Sequence, residues 1–222
     1  MIVKDYINLK TKYLTPDTPE LCFNKEHFKN YTKKVTYKFN SKGYRDNEWP
    51  DDLTNIIWCV GDSFTVGVGQ PFNETWPQLL EKASGYRCLN IGEDGCSNDS
   101  IALKTNKILS KHNPKKIIIM WSYFWRRRIN GIDTHFQRTD TAKNDLNNFL
   151  KNFTTVNKNN TKILNYIIPS SFHENLMPVL KKFLPSYYKD IIEVNQIDYS
   201  RDFHHFDLKT SKNIIKNVLA KL

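Results

Sequence analysis

The sequence predicts an α/β fold: a parallel sheet of five strands with helices on both faces. Three observations predict it. From Thr54 onward, short β-branched runs alternate with amphipathic helical stretches, the pattern of repeated βα units. The first run, Asn55-Ile56-Ile57-Trp58-Cys59-Val60, is apolar at consecutive positions, as a central parallel strand covered on both sides requires. The chain of 222 residues is 39% apolar and 13% aromatic, enough to bury one sizeable core.

The elements follow in order. Gly61-Asp62-Ser63 ends the first strand. Thr75-Trp76-Pro77-Gln78 has the form of a capping box with Pro in the first turn, and predicts a helix that stops near Gly85. Tyr86 to Ile91 is the second strand. Asn98 to His112 reads as a helix with Ile101, Thr105, Ile108 and Leu109 on one side, ended by Asn113-Pro114 because the residue before Pro is driven out of the helical region. Lys116 to Ser122 is the third strand. Ala142, Leu146, Phe149, Leu150 and Phe153 form the clearest helical stripe. Lys162 to Pro169 is the fourth strand, Asn175 to Phe183 a weaker helix, and Ile191-Ile192-Glu193-Val194 the fifth strand. Leu208, Ile215, Val218, Leu219 and Leu222 give the C-terminal helix an apolar face. Residues 1–50 differ, with Pro16, Pro19 and Pro50 and no long helical period; they read as an extension wrapped on a domain of residues 51–222. The tract Asn157-Lys158-Asn159-Asn160 reads as a surface turn.

The net charge of +10 raises nucleic acid, an anionic polysaccharide or an acidic membrane surface as a partner. Lysine outnumbers arginine 26 to 7, however, a bias that AT-rich coding generates, and no nucleic-acid-binding motif is present. No specific nucleic-acid partner is therefore expected. The longest apolar runs fall far short of the roughly 20 residues of a membrane-spanning helix. Met1-Ile2-Val3-Lys4-Asp5-Tyr6 breaks into charge too early for a secretory signal, so the expectation is synthesis and initial residence in a cytoplasm, with release by lysis or within a virion left open. The composition fits a phage or a bacterium with a reduced genome. Cys22, Cys59, Cys88 and Cys96 lack disulfide-scaffold or zinc spacing and read as reduced, mostly buried thiols. His27, His112, His135 and His173 have no ligand spacing, so neither metal nor cofactor is expected.

Two segments carry chemistry. Ser63 follows a buried strand in Gly61-Asp62-Ser63-Phe64-Thr65-Val66-Gly67-Val68-Gly69, and the carboxyl ends of parallel strands are where reacting groups gather. Such a serine can present both hydroxyl and N–H to a substrate; the same loop also suits an N-capping serine or a phosphate cradle. Asp202-Phe203-His204-His205 precedes the last helix and offers an imidazole with a carboxylate to orient it, which a serine nucleophile needs. In a doubly wound sheet the loops after the first and fifth strands open on one edge. Taken singly, either histidine also suits a surface or capping role.

On these residues the chain resembles the SGNH (GDSL-type) serine hydrolases. Gly61-Asp62-Ser63-Phe64-Thr65-Val66-Gly67 matches their nucleophile motif, Asp202-x-x-His205 their terminal motif, and Leu89-Asn90-Ile91-Gly92-Glu93-Asp94-Gly95-Cys96-Ser97 their second block. The resemblance runs from about Asn40, through Gly43-Tyr44-Arg45, to the C-terminus. It implies a three-layer, flavodoxin-like α/β/α fold, with Ser63 as nucleophile, His205 as base, Asp202 as its orienter, and the N–H groups of Ser63 and Gly95 as oxyanion donors. His204 is the one rival for the base. The third block departs: the family's G-x-N-D, whose Asn is a further oxyanion donor, is replaced by Met120-Trp121-Ser122-Tyr123-Phe124-Trp125-Arg126. Ser122, Tyr123 or Arg126 can substitute, and with Asp62 they are the expected substrate-binding residues. Trp121 and Trp125 read as packing around the site, or as a stacking surface for a sugar ring. Arg126-Arg127-Arg128 reads as a solvated run, or as a clamp on a substrate carboxylate or phosphate.

The resemblance implies an esterase that removes a short, acetyl-like acyl group from a carbohydrate or a small ester. The alternatives are a non-hydrolytic glycan-binding or assembly protein on a decayed site, and an O-acyltransferase using the same triad. Oligomeric state is not legible.

Overall fold

The computed structural model describes residues 1–134, 142–157, 162–169, 177–183, 185 and 189–222. In chain order its elements are β1 (Lys10–Thr11), α1 (Lys25–Asn30), β2 (Tyr37–Lys38), β3 (Ile57–Val60), α2 (Ser63–Val66), α3 (Trp76–Ser84), β4 (Cys88–Asn90), α4 (Asn98–Lys111), β5 (Lys116–Trp121), β6 (Arg128–Ile129), β7 (Ile132–Asp133), α5 (Ala142–Asn157), β8 (Ile163–Ile167), α6 (Met177–Phe183), β9 (Ile191–Glu193) and α7 (Leu208–Leu219), with single 3₁₀ turns at Lys4–Tyr6 and Phe72–Glu74. His135, His173, Lys158, Asn159, Asn160 and the start of the helix expected from Asn175 lie outside the described residues.

The five expected strands form one parallel sheet in the order β4-β3-β5-β8-β9. Alternation along each strand sorts the side chains into two layers. Trp58 and Val60 of β3, with Ile117, Ile119 and Trp121 of β5, pack against Ile101 and Ile108 of α4 and Leu146, Phe149 and Phe153 of α5. Ile57, Cys59, Ile118 and Met120 face the other way, against Trp76 and Leu80 of α3 and Ile214, Ile215 and Val218 of α7. Helices on both faces bury β3 completely, which is why its run shows no polar alternation. Strand β3 begins only after Asn55, which sits in the left-handed region at φ 53°. All four cysteines are free and buried. Among the described residues no helix is long and apolar enough to cross a membrane.

Three local readings need correction. Thr75 is the N-cap of α3, but its hydroxyl donates to the Phe72 carbonyl at 2.9 Å rather than closing a capping box, and Gln78 reaches Asp46 at 3.2 Å instead. The buried apolar stripe of α7 is Ile214, Ile215 and Val218, whereas Leu219 and Leu222 are exposed. The hairpin β6–β7 adds to the expected elements, and Asn130-Gly131, with both φ values positive (50° and 81°), is its two-residue turn signal.

The first fifty residues are fastened to the nucleophile end of the sheet. β1 pairs antiparallel with β2. Leu14, Val35, Tyr37 and Phe39 pack on Val66 and Val68. Arg45 is fully buried and donates to the carbonyls of Val66 (3.3 Å), Gly67, Thr36 (3.0 Å) and Gln70 (2.7 Å). It thereby satisfies carbonyls that the short helix α2 leaves open at its C-terminal end.

Candidate active site

Strand β3 delivers Ser63 to the carboxyl edge of the sheet. Asp62 is the N-cap of α2 and accepts from the Phe64 N–H at 3.1 Å, so Ser63 begins a helical turn whose first N–H groups have no intrahelical partner. Gly67 ends the turn at φ 76°, its N–H donating to the Ser63 carbonyl at 3.0 Å. A side chain there would be strained and would run into Thr75, so the glycine makes the tight turn possible.

The loop between β9 and α7 supplies the partners. His205 Nε2 lies 2.8 Å from Ser63 Oγ, and His205 Nδ1 lies 2.6 Å from Asp202 Oδ2. The other carboxylate oxygen of Asp202 accepts from Ser200 Oγ (2.8 Å) and from the N–H groups of His204 (3.0 Å) and His205 (3.1 Å). Phe203, at φ 59°, makes the bend that returns the chain so that a carboxylate three residues earlier meets the ring. Burial alone would raise the Asp202 carboxyl, but the His205 ring and these hydrogen bonds outweigh it and hold the group well below the usual carboxylate range. Burial likewise disfavours a charged His205, yet the charge and hydrogen bond of Asp202 leave it above the ordinary histidine value. Ser63, His205 and Asp202 are 3%, 2% and 0% exposed, so this chain of groups is shielded from bulk water.

His204 is arranged otherwise. Its Nε2 meets the Tyr123 hydroxyl at 2.9 Å and its ring stacks on Phe23, centroids 4.8 Å apart. Burial, then the neighbouring His205, lower it to about 3, so it stays neutral. The geometry thus separates the two adjacent histidines: His205, not His204, bonds the serine.

The loop is braced from the N-terminal segment. The Phe23 N–H donates to the Asp202 carbonyl at 3.1 Å. His27 Nε2 lies 2.9 Å from the Ser200 carbonyl. Arg201 donates twice to Asp17, at 2.8 and 2.6 Å, and Asp17 also accepts from Tyr37 at 2.5 Å. The Tyr37 hydroxyl in turn accepts the Gly69 N–H at 2.8 Å, which ties the brace to the nucleophile loop. Nothing in the local sequence signals these contacts.

Comparison with protein-family models and with curated protein sequences finds no match. Solved structures do match. A putative lipolytic protein of the G-D-S-L family from Desulfitobacterium hafniense DCB-2 superposes with TM-score 0.52 at 17% identity, over 76% of this chain and 100% of that one. TesA superposes with TM-score 0.51 at 16% identity, over 75% of this chain and 97% of that one. The chain has the SGNH hydrolase fold. A carbohydrate esterase family 2 enzyme from Corynascus thermopiles (Myceliophthora fergusii) shares this fold, with TM-score 0.50 and 12% identity over 84% of this chain and 71% of that one.

Within the SGNH frame the second block follows β4. Asn90 donates to the Thr65 carbonyl at 2.9 Å and accepts from the Gly92 N–H at 3.0 Å, and the Glu93 N–H donates to the Gly61 carbonyl at 3.1 Å. These bonds stitch the loop that carries Gly95, buried at φ 70°, to the nucleophile turn.

The third block, where the SGNH pattern is broken, folds inward. Asp62 and Ser122, expected to meet substrate, have fully buried side chains, and Ser122 Oγ donates to Asp62 Oδ2 at 2.5 Å. Arg126 Nη1 donates to Asp62 Oδ2 at 3.2 Å and to Ser122 Oγ at 3.1 Å. A turn, closed by the Arg126 N–H on the Tyr123 carbonyl at 3.1 Å, brings the guanidinium back over the Tyr123 ring, 4.6 Å from its centroid. Asn98, not singled out in the sequence, clamps this turn: its Nδ2 donates to the carbonyls of Ser122 (3.3 Å) and Tyr123 (3.0 Å), and its Oδ1 accepts the Ser122 N–H (2.9 Å). The arginine run is not simply a solvated stretch. Arg126 pairs with Asp62, Arg127 with Asp145 at 2.9 Å, and Arg128 donates to Ser100 Oγ at 2.9 Å. Trp121 is a core residue, its ring against Phe149 and its Nε1 donating to Asn165 at 2.9 Å, so it offers no stacking face; Trp125 is partly buried against Tyr123.

Proposed function

We propose that the protein is a serine ester hydrolase in which Ser63 is the nucleophile, His205 the general base and acid, and Asp202 the residue that orients and charges His205. The observation that carries this reading is the continuous line from Ser63 Oγ through both ring nitrogens of His205 to Asp202, at 2.8 and 2.6 Å. Ser63 Oγ bonds to the acyl carbon as its proton passes to His205 Nε2, and the carbonyl electron pair moves onto oxygen. The N–H groups of Ser63 and Gly95 hold that oxyanion. On collapse, the bond to the leaving alkoxide breaks and His205 returns the proton to it. Water then repeats the sequence on the acyl-enzyme, releasing the acid.

A short acyl group on a carbohydrate, or a small ester, is the proposed substrate class. The SGNH fold shared with a carbohydrate esterase supports it. The break in the third block favours a second reading, a binding or assembly protein on a decayed site. A binder has no use for an imidazole aligned between a serine and a buried carboxylate, and that alignment tips the choice to hydrolysis. Incubation with a fluorophosphonate, followed by peptide mass mapping, tests the proposal: a single adduct on Ser63 is expected. Unmodified Ser63 in folded protein would remove it.

A further inference from the structure

The third block lacks the carboxamide donor of the SGNH pattern, and the structure narrows what replaces it. The Ser122 hydroxyl has one proton, and it goes to Asp62 Oδ2 at 2.5 Å. Both functions of the Asn98 carboxamide are engaged by the backbone of Ser122 and Tyr123. The Asn90 carboxamide donates to the Thr65 carbonyl. The Tyr123 hydroxyl is held at His204 Nε2, 2.9 Å away.

Arg126 differs from all of these. Its side chain is only 9% exposed, and both of its hydrogen bonds to the described residues leave from Nη1. The Nε–H is buried and has no hydrogen-bond partner among the described residues. A buried donor without an acceptor is costly, and on Arg126 it leaves an N–H that a substrate oxygen can satisfy. Because Nη1 is anchored on Asp62, the residue joined to Ser63, the guanidinium sits beside the nucleophile turn.

We propose that Arg126 is the third oxyanion donor, giving an N–H to the tetrahedral oxygen formed when Ser63 attacks. This rests on the hydrolase reading. The electron pair of the carbonyl moves onto that oxygen and returns when the leaving group departs; Arg126 lends a hydrogen bond and keeps all its protons throughout. Asp62 and Ser122 are positioning residues in this scheme, fixing one edge of the guanidinium so that another edge is free. A cation preset in a water-poor site stabilises charge that develops only in the transition state.

The test compares wild type with Arg126→Lys, Ser122→Ala and Tyr123→Phe on p-nitrophenyl acetate, together with the affinity of each for a trifluoromethyl ketone, which forms a tetrahedral oxyanion on the serine. Arg126→Lys keeps a cation on Asp62 but removes the fork. It is expected to lower kcat about 100-fold or more with KM within about threefold, and to weaken the ketone by the same factor as kcat. If that variant does not fold, Asp62→Asn with Arg126→Met removes both charges while an Asn still caps α2, and the same loss is expected. An active wild type beside an equally active Arg126→Lys, or a loss carried by Tyr123→Phe instead, overturns this inference alone. A wild type that neither turns over ester nor binds the ketone overturns the hydrolase reading and this inference with it.

Discussion

The N–H of Phe23 donates to the backbone carbonyl of Asp202 across 3.1 Å, so the main chain of the residue proposed to orient the base is held by a residue of the N-terminal segment. The Phe23 ring stacks on His204 in the same stretch, and His27 and Asp17 reach the loop on either side of it. Residues 1–50 thus act on the site through the loop they brace, although no group among them lies on the line from Ser63 to Asp202.

The strongest point of that brace is Asp17, fully buried between Tyr37 and Arg201. Asp17→Ala leaves the buried Tyr37 hydroxyl and the partly buried Arg201 without their acceptor, and a loss of about 1–3 kcal/mol is expected. Urea unfolding of the two proteins measures it. A loss under about 1 kcal/mol would show that the contact does not hold the loop.

His205 accepts a proton only when neutral, and Asp202 favours its charged form. The rate of Ser63 phosphonylation should therefore rise with pH through an apparent pKa above about 6.5, the free histidine value. In Asp202→Asn the midpoint should fall and the plateau drop by about 10⁴-fold, as the tautomer is no longer fixed. A flat profile between pH 5 and 9 would contradict this assignment.

The same pair makes stability depend on pH. Asp202 is depressed in the folded state, so its contribution is present above about 3.9, the unfolded value, and is lost as pH falls through the folded one. His205 is raised, so its contribution is full below about 6.5 and is lost as pH rises through the folded value. Thermal melts of wild type against Asp202→Asn should differ most between about pH 4 and 6.5. A difference constant from pH 4 to 9 would argue against the ion pair.

Two adjacent histidines invite confusion, and the contacts separate them. His204→Ala removes a bond to Tyr123 and a stack on Phe23 but no contact with Ser63, and a loss of less than about tenfold in kcat is expected. His205→Ala should lose about 10³-fold or more. Parallel steady-state kinetics decide it; equal losses would mean that His204 takes part in proton transfer.

Much of the site is written locally. The five strands, the serine after a fully apolar run and the Asp-x-x-His spacing each need only a few neighbouring residues, so pattern and motif reach them. The brace and the third block depend on partners distant in sequence. No acid adjoins Arg126-Arg127-Arg128, and the groups that bind them, Asp62, Asp145 and Ser100, arrive from other elements. Asn98 looks like one more helix-start residue until the fold sets it against the Ser122–Tyr123 backbone. Thr75 shows the converse: its box-like sequence does mark a helix start, but Asp46, from the N-terminal segment, competes for Gln78.

The central claim is that Ser63 and His205 act together in acyl transfer, and hydrolysis of p-nitrophenyl acetate by wild type, Ser63→Ala, His205→Ala and the double variant tests it most directly. Because the two side chains work as one unit, each single variant should lose about 10³-fold or more and the double variant little beyond that. Turnover by Ser63→Ala equal to wild type, or losses that multiply as for independent residues, would contradict the account.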